Sequence, residues 1–318
     1  MNFINKEPDF SDLQQAAERI SPFINRTPVL SSTSVNRLLH ASLFFKCENF
    51  QKVGAFKFRG AANAIQSLSE DERKKGVATH SSGNHAQALS LAAKMAGCKA
   101  YIVMPENAPE VKKNAVKGYG AEIIPCKPTL ASREETLDKV VKRTGAAFIH
   151  PYNDYRMIAG HASAVKELTE DTSDLDLIMA PVGGGGLLSG TLLGAHYLNP
   201  RAEVIAGEPK GADDAFRSMK TGKIIPSENP KTIADGLLTS LGEKTFNIMQ
   251  KYLTDIVTVD EQEIIDAMRL VWERMKIIIE PSAAVALAAF IRIKEKYRDK
   301  RVGIILTGGN VDLNKLPF

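Results

Sequence analysis

Three cysteines, one tryptophan and no long apolar run occur in 318 residues, and each scarcity removes a class of protein. Cys47, Cys98 and Cys126 stand far apart and follow no metal-ligand spacing. They form neither a disulfide framework nor a zinc module, and they suit a reducing compartment. No stretch reaches the roughly 20 consecutive apolar residues that cross a bilayer, so no membrane span is expected. The opening MNFINKEPDF lacks a basic patch followed by an apolar core, and no signal peptide is expected. Charge of one sign is missing too: 41 Lys and Arg against 37 Asp and Glu leave a net +4. So weak and dispersed a charge argues against nucleic acid or an anionic membrane as partner. A soluble, cytoplasmic protein is the expectation.

What the sequence does contain is ordinary globular material, 44% hydrophobic and 25% charged, in a chain long enough for two α/β lobes. Short apolar runs alternate with amphipathic stretches. AYIVMP (100–105), AEIIPC (121–126), AAFIH (146–150), DLIMAPV (176–182), AEVIAGEP (202–209) and RVGIILTGGN (301–310) read as strands. EVKKNAVKGYG and SREETLDKVVKRTG read as intervening helices closed by glycine. This alternation predicts an α/β fold of two doubly wound lobes with parallel sheets. The small lobe is placed at 76–154 and the large one at 1–75 plus 155–318.

Five segments carry chemistry. Gly183, Gly184, Gly185 and Gly186, followed by Leu187, lie between an apolar run and a helical stretch. An ordered glycine run signals something lying against bare main chain. At a helix start the free N–H groups and the positive dipole end suit a phosphate, with a flexible turn as the plain alternative. Ser189 stands where a dinucleotide fingerprint needs its third glycine, and no P-loop sequence occurs. Next, Ser81-Ser82-Gly83-Asn84-His85 opens another helix, where Ser and Asn are expected as caps and a carboxylate could bind. Lys57 sits between Phe56 and Phe58; a less polar pocket there would lower its pKa and free the amine, though most lysines are solvated. Glu208-Pro209-Lys210-Gly211-Ala212-Asp213-Asp214 offers hard oxygen ligands, or is a solvated acidic loop. Finally Thr307-Gly308-Gly309-Asn310 ends the last strand, at the sheet edge where α/β ligands sit.

Taken in order, Gly-Ala-Phe-Lys57-Phe-Arg-Gly, Ser-Ser-Gly-Asn84-His, the tetraglycine and Thr-Gly-Gly-Asn310 resemble the fold-type II pyridoxal-phosphate enzymes, whose fold is like that of tryptophan synthase β. The likeness is closest to serine racemases and single-domain serine/threonine dehydratases. Supporting segments are Phe45 to Gln51, Thr232 to Gly236 and Arg274 to Pro281. The resemblance implies that Lys57 holds the cofactor as a Schiff base and moves the Cα proton on one face, with Ser82 acting on the other. It implies cofactor contacts from Phe56, Asn84, Gly183 to Gly186, Leu187 and Thr307. Substrate contacts would come from Ser81, Ser82, Asn84, His85, Arg133 and Ser240. Glu208, the Ala212 carbonyl and Asp214 would bind Mg²⁺, Mn²⁺ or Ca²⁺. ATP as an activator would sit near Lys52, Tyr119, Lys276 and Asn310, in a homodimer. Thr307 replaces the family's usual serine, and Gly160-His161-Ala162-Ser163 replaces Gly-Gln-Gly-Thr. The expected activity is serine racemisation with water elimination to pyruvate and ammonia. The alternative is a dehydratase preferring threonine or threo-3-hydroxyaspartate. A cysteine-synthase-like replacement enzyme and a non-catalytic cofactor carrier are the remaining rivals.

Overall fold

The computed structural model describes residues 6–318; residues 1–5, the start of the segment read for a signal peptide, lie outside the described residues. Among the described residues ten strands form two sheets: β1 (Val29–Leu30), β2 (Ser42–Cys47), β3 (Val77–His80), β4 (Ala100–Pro105), β5 (Glu122–Cys126), β6 (Ala147–Phe148), β7 (Leu177–Pro181), β8 (Glu203–Pro209), β9 (Asp255–Val259) and β10 (Arg301–Leu306). The large sheet runs β1-β2-β10-β7-β8-β9 and the small one β5-β4-β3-β6. Every pairing is parallel except β1 on β2, an antiparallel edge that the all-parallel expectation lacked.

Central strands β7 and β4 are buried along their whole length, which is why they read as unbroken apolar runs. The alanine-rich helix Pro281–Ile293 lies against β7, β8 and β10 and buries nine consecutive residues, Ser282 to Phe290. On the opposite face of the large sheet, the helices Tyr155–Asp171 and Gly186–Leu198 share one apolar cluster with Ile178, Ala206 and Ile305. The core against the small sheet also takes in Ile20, Phe58, Ile65 and Met157, so its packing reaches chain on both sides of the small-sheet strands.

Two sequence expectations require correction here. AAFIH is a strand only at Ala147 and Phe148, because from His150 onward the chain turns toward the large sheet. RVGIILTGGN stops being a strand at Leu306; the following residues bend back to bridge Ala55 with Gly308. Parallel order brings the carboxyl ends of β7, β8 and β10 to one edge of the large sheet, while β3 ends within the small sheet. The residues just past those ends are Ser81, Val182 (ahead of the glycine run), Lys210 and Thr307, as open α/β sheets arrange their ligand loops.

Candidate active site

Lys57 is the first residue of the helix Lys57–Gln66, and its Nζ donates a 2.9 Å hydrogen bond to the Pro151 carbonyl. The amine lies 5.1 Å from the Phe56 ring centroid. Burial lowers its pKa from 10.5 to about 8, since desolvation penalises the ammonium. Phe56 is fixed from both sides: its N–H donates to the Thr307 carbonyl at 3.0 Å, and its ring meets His161 edge-on at 4.8 Å. Beneath the lysine turn, Arg59 is fully buried and forks onto two carboxylates, Glu48 at 2.7 and 2.8 Å and Glu167 at 2.7 Å through two nitrogens. Buried Lys46 completes the set with 2.6 Å to Glu167. Two cations and two anions leave no charge uncompensated, the condition under which burial of such groups is tolerated.

At the glycine run, the helix Gly186–Leu198 begins from Gly185 in the left-handed region (φ 83°), with no side-chain cap. Its first N–H groups therefore remain available to an anion. What lies against the bare backbone is in large part protein. A Cβ on Gly184 would meet the Tyr152 ring at 2.4 Å and one on Gly186 the Tyr152 Cβ at 2.8 Å, while Gly183 faces Leu237 and Gly185 faces Thr245.

The helix Asn84–Met95 corrects an expectation: its cap is Gly83, and neither serine nor asparagine supplies a side-chain cap bond. Ser81 Oγ instead accepts the Gly83 N–H at 3.4 Å, and the helix start stays open. Asn84 Nδ2 donates to both oxygens of Glu280 (3.0 and 3.2 Å), and Asn84 Oδ1 accepts from Asn310 Nδ2 at 2.9 Å. Glu280 is buried, and that burial raises its pKa to about 7. His85 is buried with Nε2 at 3.4 Å from the Ile149 carbonyl, and burial holds it neutral.

In the acidic loop both named carboxylates are buried rather than solvated. Glu208 accepts the Ala215 and Phe216 N–H groups at 2.8 Å each. Asp214 lies near Ser227 and the Leu241 backbone, yet neither of its oxygens makes a hydrogen bond of normal geometry. Burial raises Glu208 to about 8 and Asp214 to about 6. Among the described residues no three His, Cys, Asp or Glu side chains cluster at metal-binding spacing. A buried Asp214 short of partners, with a buried Glu208 and the Ala212 carbonyl close by in sequence, nonetheless fits a hard divalent cation.

Arg133, on the helix Leu130–Thr144, acts electrostatically on His80, the residue before Ser81, and its buried Nε lacks a partner. Ser240 Oγ accepts the Ser227 N–H at 2.8 Å. Lys276 and Asn310 come together with Asn49, Phe50, Gly54 and Ile278 around a groove of about 370 Å³; Lys52 and Tyr119 are not among its lining residues. The sequence reading missed Pro151, Tyr152 and Leu237, and assigned no role to Glu280. Glu280-Pro281 before an apolar helix was the one available signal, since a carboxylate preceding a first-turn proline marks a helix start.

A desolvated lysine beside an uncapped glycine-rich helix start, at the carboxyl edge of a parallel sheet, defines an enzyme site for an anionic carbonyl cofactor. The chain belongs to the pyridoxal-phosphate dependent enzyme family, whose model matches residues 20–308. Among curated relatives, it is 51% identical over 311 residues to the β-hydroxyaspartate dehydratase of Paracoccus denitrificans, covering 98% of this chain and 99% of that one. It is likewise 51% identical over 310 residues to the serine racemase of Dictyostelium discoideum, covering 96% and 95%. The solved structure of maize serine racemase superposes with a TM-score of 0.95 at 44% identity, covering 97% of this chain and 95% of that one.

Proposed function

We propose that this chain is a serine racemase that also eliminates water from serine, releasing pyruvate and ammonia. The observation that carries this reading is the desolvated Lys57 amine held at the Pro151 carbonyl. Pyridoxal phosphate, when bound, supplies the electron sink that makes the substrate Cα–H acidic. Lys57 would hold the cofactor, and the free N–H groups from Gly183 to Leu187 would receive its phosphate. Phe56 would pack against the ring, with Asn84 and the Thr307 hydroxyl as its polar contacts. Ser81, Asn84 and His85 bind the substrate carboxylate, supported by the open helix start. The neutral Lys57 amine takes the Cα proton on one face; the Ser82 hydroxyl returns one on the other.

Glu208, Asp214 and the Ala212 carbonyl hold a divalent cation in this reading. EDTA lowers the melting temperature and Mg²⁺ restores it; an unchanged melting curve contradicts the assignment. The assembly is a homodimer, with ATP in the groove where Lys276 supplies a cation and exposed Phe50 and Ile278 supply apolar contact. Three free, buried thiols fit a cytoplasmic setting.

A second reading, a dehydratase acting on threo-3-hydroxyaspartate, is favoured by Arg133. Its guanidinium, with an unpaired buried Nε beside His80, suits a second substrate carboxylate. Parallel time courses with L-serine, L-threonine and L-threo-3-hydroxyaspartate, quantifying D-serine and each keto acid, decide between the two. D-serine comparable to pyruvate supports the racemase. Oxaloacetate formed fast with almost no D-serine from serine overturns it in favour of the dehydratase.

A further inference from the structure

We infer that His150 is a positioning residue for Lys57: its Nδ1 pins the turn 150–153, and that turn presents the Pro151 carbonyl to the lysine amine. The inference rests on the reading of Lys57 as the cofactor lysine. β6 ends at Phe148, and the chain then reverses within a few residues. His150 Nδ1 accepts the Asn153 N–H at 2.9 Å and the Tyr152 N–H at 3.3 Å. A ring nitrogen that accepts two N–H groups carries no proton, so the imidazole proton resides on Nε2. Burial, reinforced by His80 and Lys57, brings its pKa down to about 4 and keeps the ring neutral near pH 7. The ring is also wedged sterically, edge-on to Tyr152 at 4.6 Å and tilted against Phe148 at 5.6 Å.

Pro151 lies between His150 and the pinned Tyr152, and its carbonyl shares a peptide plane with the Tyr152 N–H, so fixing that N–H fixes the carbonyl direction. That carbonyl receives the Lys57 Nζ at 2.9 Å. The same turn sets Tyr152 onto Gly184 and Gly186, and Asn153 Oδ1 accepts the Lys244 N–H at 2.9 Å. One imidazole nitrogen thus fixes a turn that touches the amine, the glycine loop and the start of the helix Glu243–Tyr252. A lysine on a four-carbon stem has no comparable restraint of its own.

The side-chain carbonyl of asparagine reaches about as far as histidine Nδ1, whereas the amide of glutamine reaches about as far as Nε2. His150→Asn, His150→Gln and His150→Phe are therefore compared by the rate at which each apoenzyme captures pyridoxal phosphate, followed by near-visible absorbance. Circular dichroism checks folding; if the Phe variant does not fold, the Asn and Gln pair alone decides. Asn stays within about twofold of wild type, while Gln and Phe slow capture about tenfold, the effect of one unsatisfied buried N–H. Equal rates in all variants overturn the inference, as does rescue by Gln but not Asn, which would place the role on Nε2. Borohydride trapping with peptide mapping of the wild type separates the two layers. Label on a different lysine sinks the reading of Lys57, whereas label on Lys57 with no His150 effect sinks only this inference.

Discussion

On the proposed reading of Lys57 as the cofactor lysine, its burial serves the chemistry. An amine at about 8 instead of 10.5 is the price of burial, and it leaves a substantial neutral fraction near pH 8. Because only the neutral amine attacks a carbonyl, pyridoxal phosphate capture by the apoenzyme accelerates as pH rises and levels off above about 8. Stopped-flow absorbance checks this, and a midpoint near 10.5 would contradict it. Linkage gives the same sign for stability: between about 8 and 10.5 the unfolded chain binds more protons, so the apoprotein gains stability as pH rises. Glu280 runs the other way. Its pKa is raised from 4.5 to about 7, so the folded state binds more protons in that window and stability falls as pH rises through it. Glu280→Gln removes that slope, and denaturant melts at several pH values measure the difference. The desolvation of Lys57 was an open reading of its adjacent aromatic neighbours, and its role came only from the family resemblance. Glu280 was not legible, because its partner Asn84 lies 196 residues away and only the fold brings them together.

Elements explain what the glycine motif could and could not reveal. The run correctly marked a strand-to-helix turn with free N–H groups, since its position between apolar segments is a local property. It could not show that Tyr152 covers two of the glycines, because that residue arrives from the small sheet. The same blindness lengthened β6 to five residues in the sequence reading: AAFIH is apolar enough for a strand, but the pull of the His150 turn ends it after two. Replacing Gly184 with Ala puts a methyl 2.4 Å from the Tyr152 ring. Overpacking of this kind costs about 1–3 kcal/mol, read as a lower melting temperature and weaker cofactor retention. Combining Gly184→Ala with Tyr152→Ala costs less than the two single changes added together, since the clash requires the ring. Strict additivity in the double-mutant cycle would show that the methyl disturbs the loop by another route.

At the scale of the whole molecule, two sheets must present one site, and their connections differ in kind. Arg59, Glu48, Glu167 and Lys46 form a buried, fully paired cluster that joins β2 to the helices Lys57–Gln66 and Tyr155–Asp171. Breaking such a cluster costs several kcal/mol and affects the fold before the activity. Lys112 to Asp235 is the opposite case, a 2.9 Å pair between the helix Glu110–Gly118 beside the small sheet and the loop leading to Ser240. Its side chains are 34% and 58% exposed, so the pair contributes at most about 1 kcal/mol and is screened by salt. A contact so weak cannot hold the fold, but it can bias how the lobes meet over substrate. Lys112→Ala accordingly raises KM by no more than about fivefold and leaves kcat unchanged. Added salt raises KM in the wild type toward the variant's value and has much less effect on the variant itself. Steady-state kinetics at two ionic strengths tests this. A fall in kcat would mean that Lys112 contributes to the chemistry, while identical salt responses in both proteins would mean that the pair does not couple the lobes in solution.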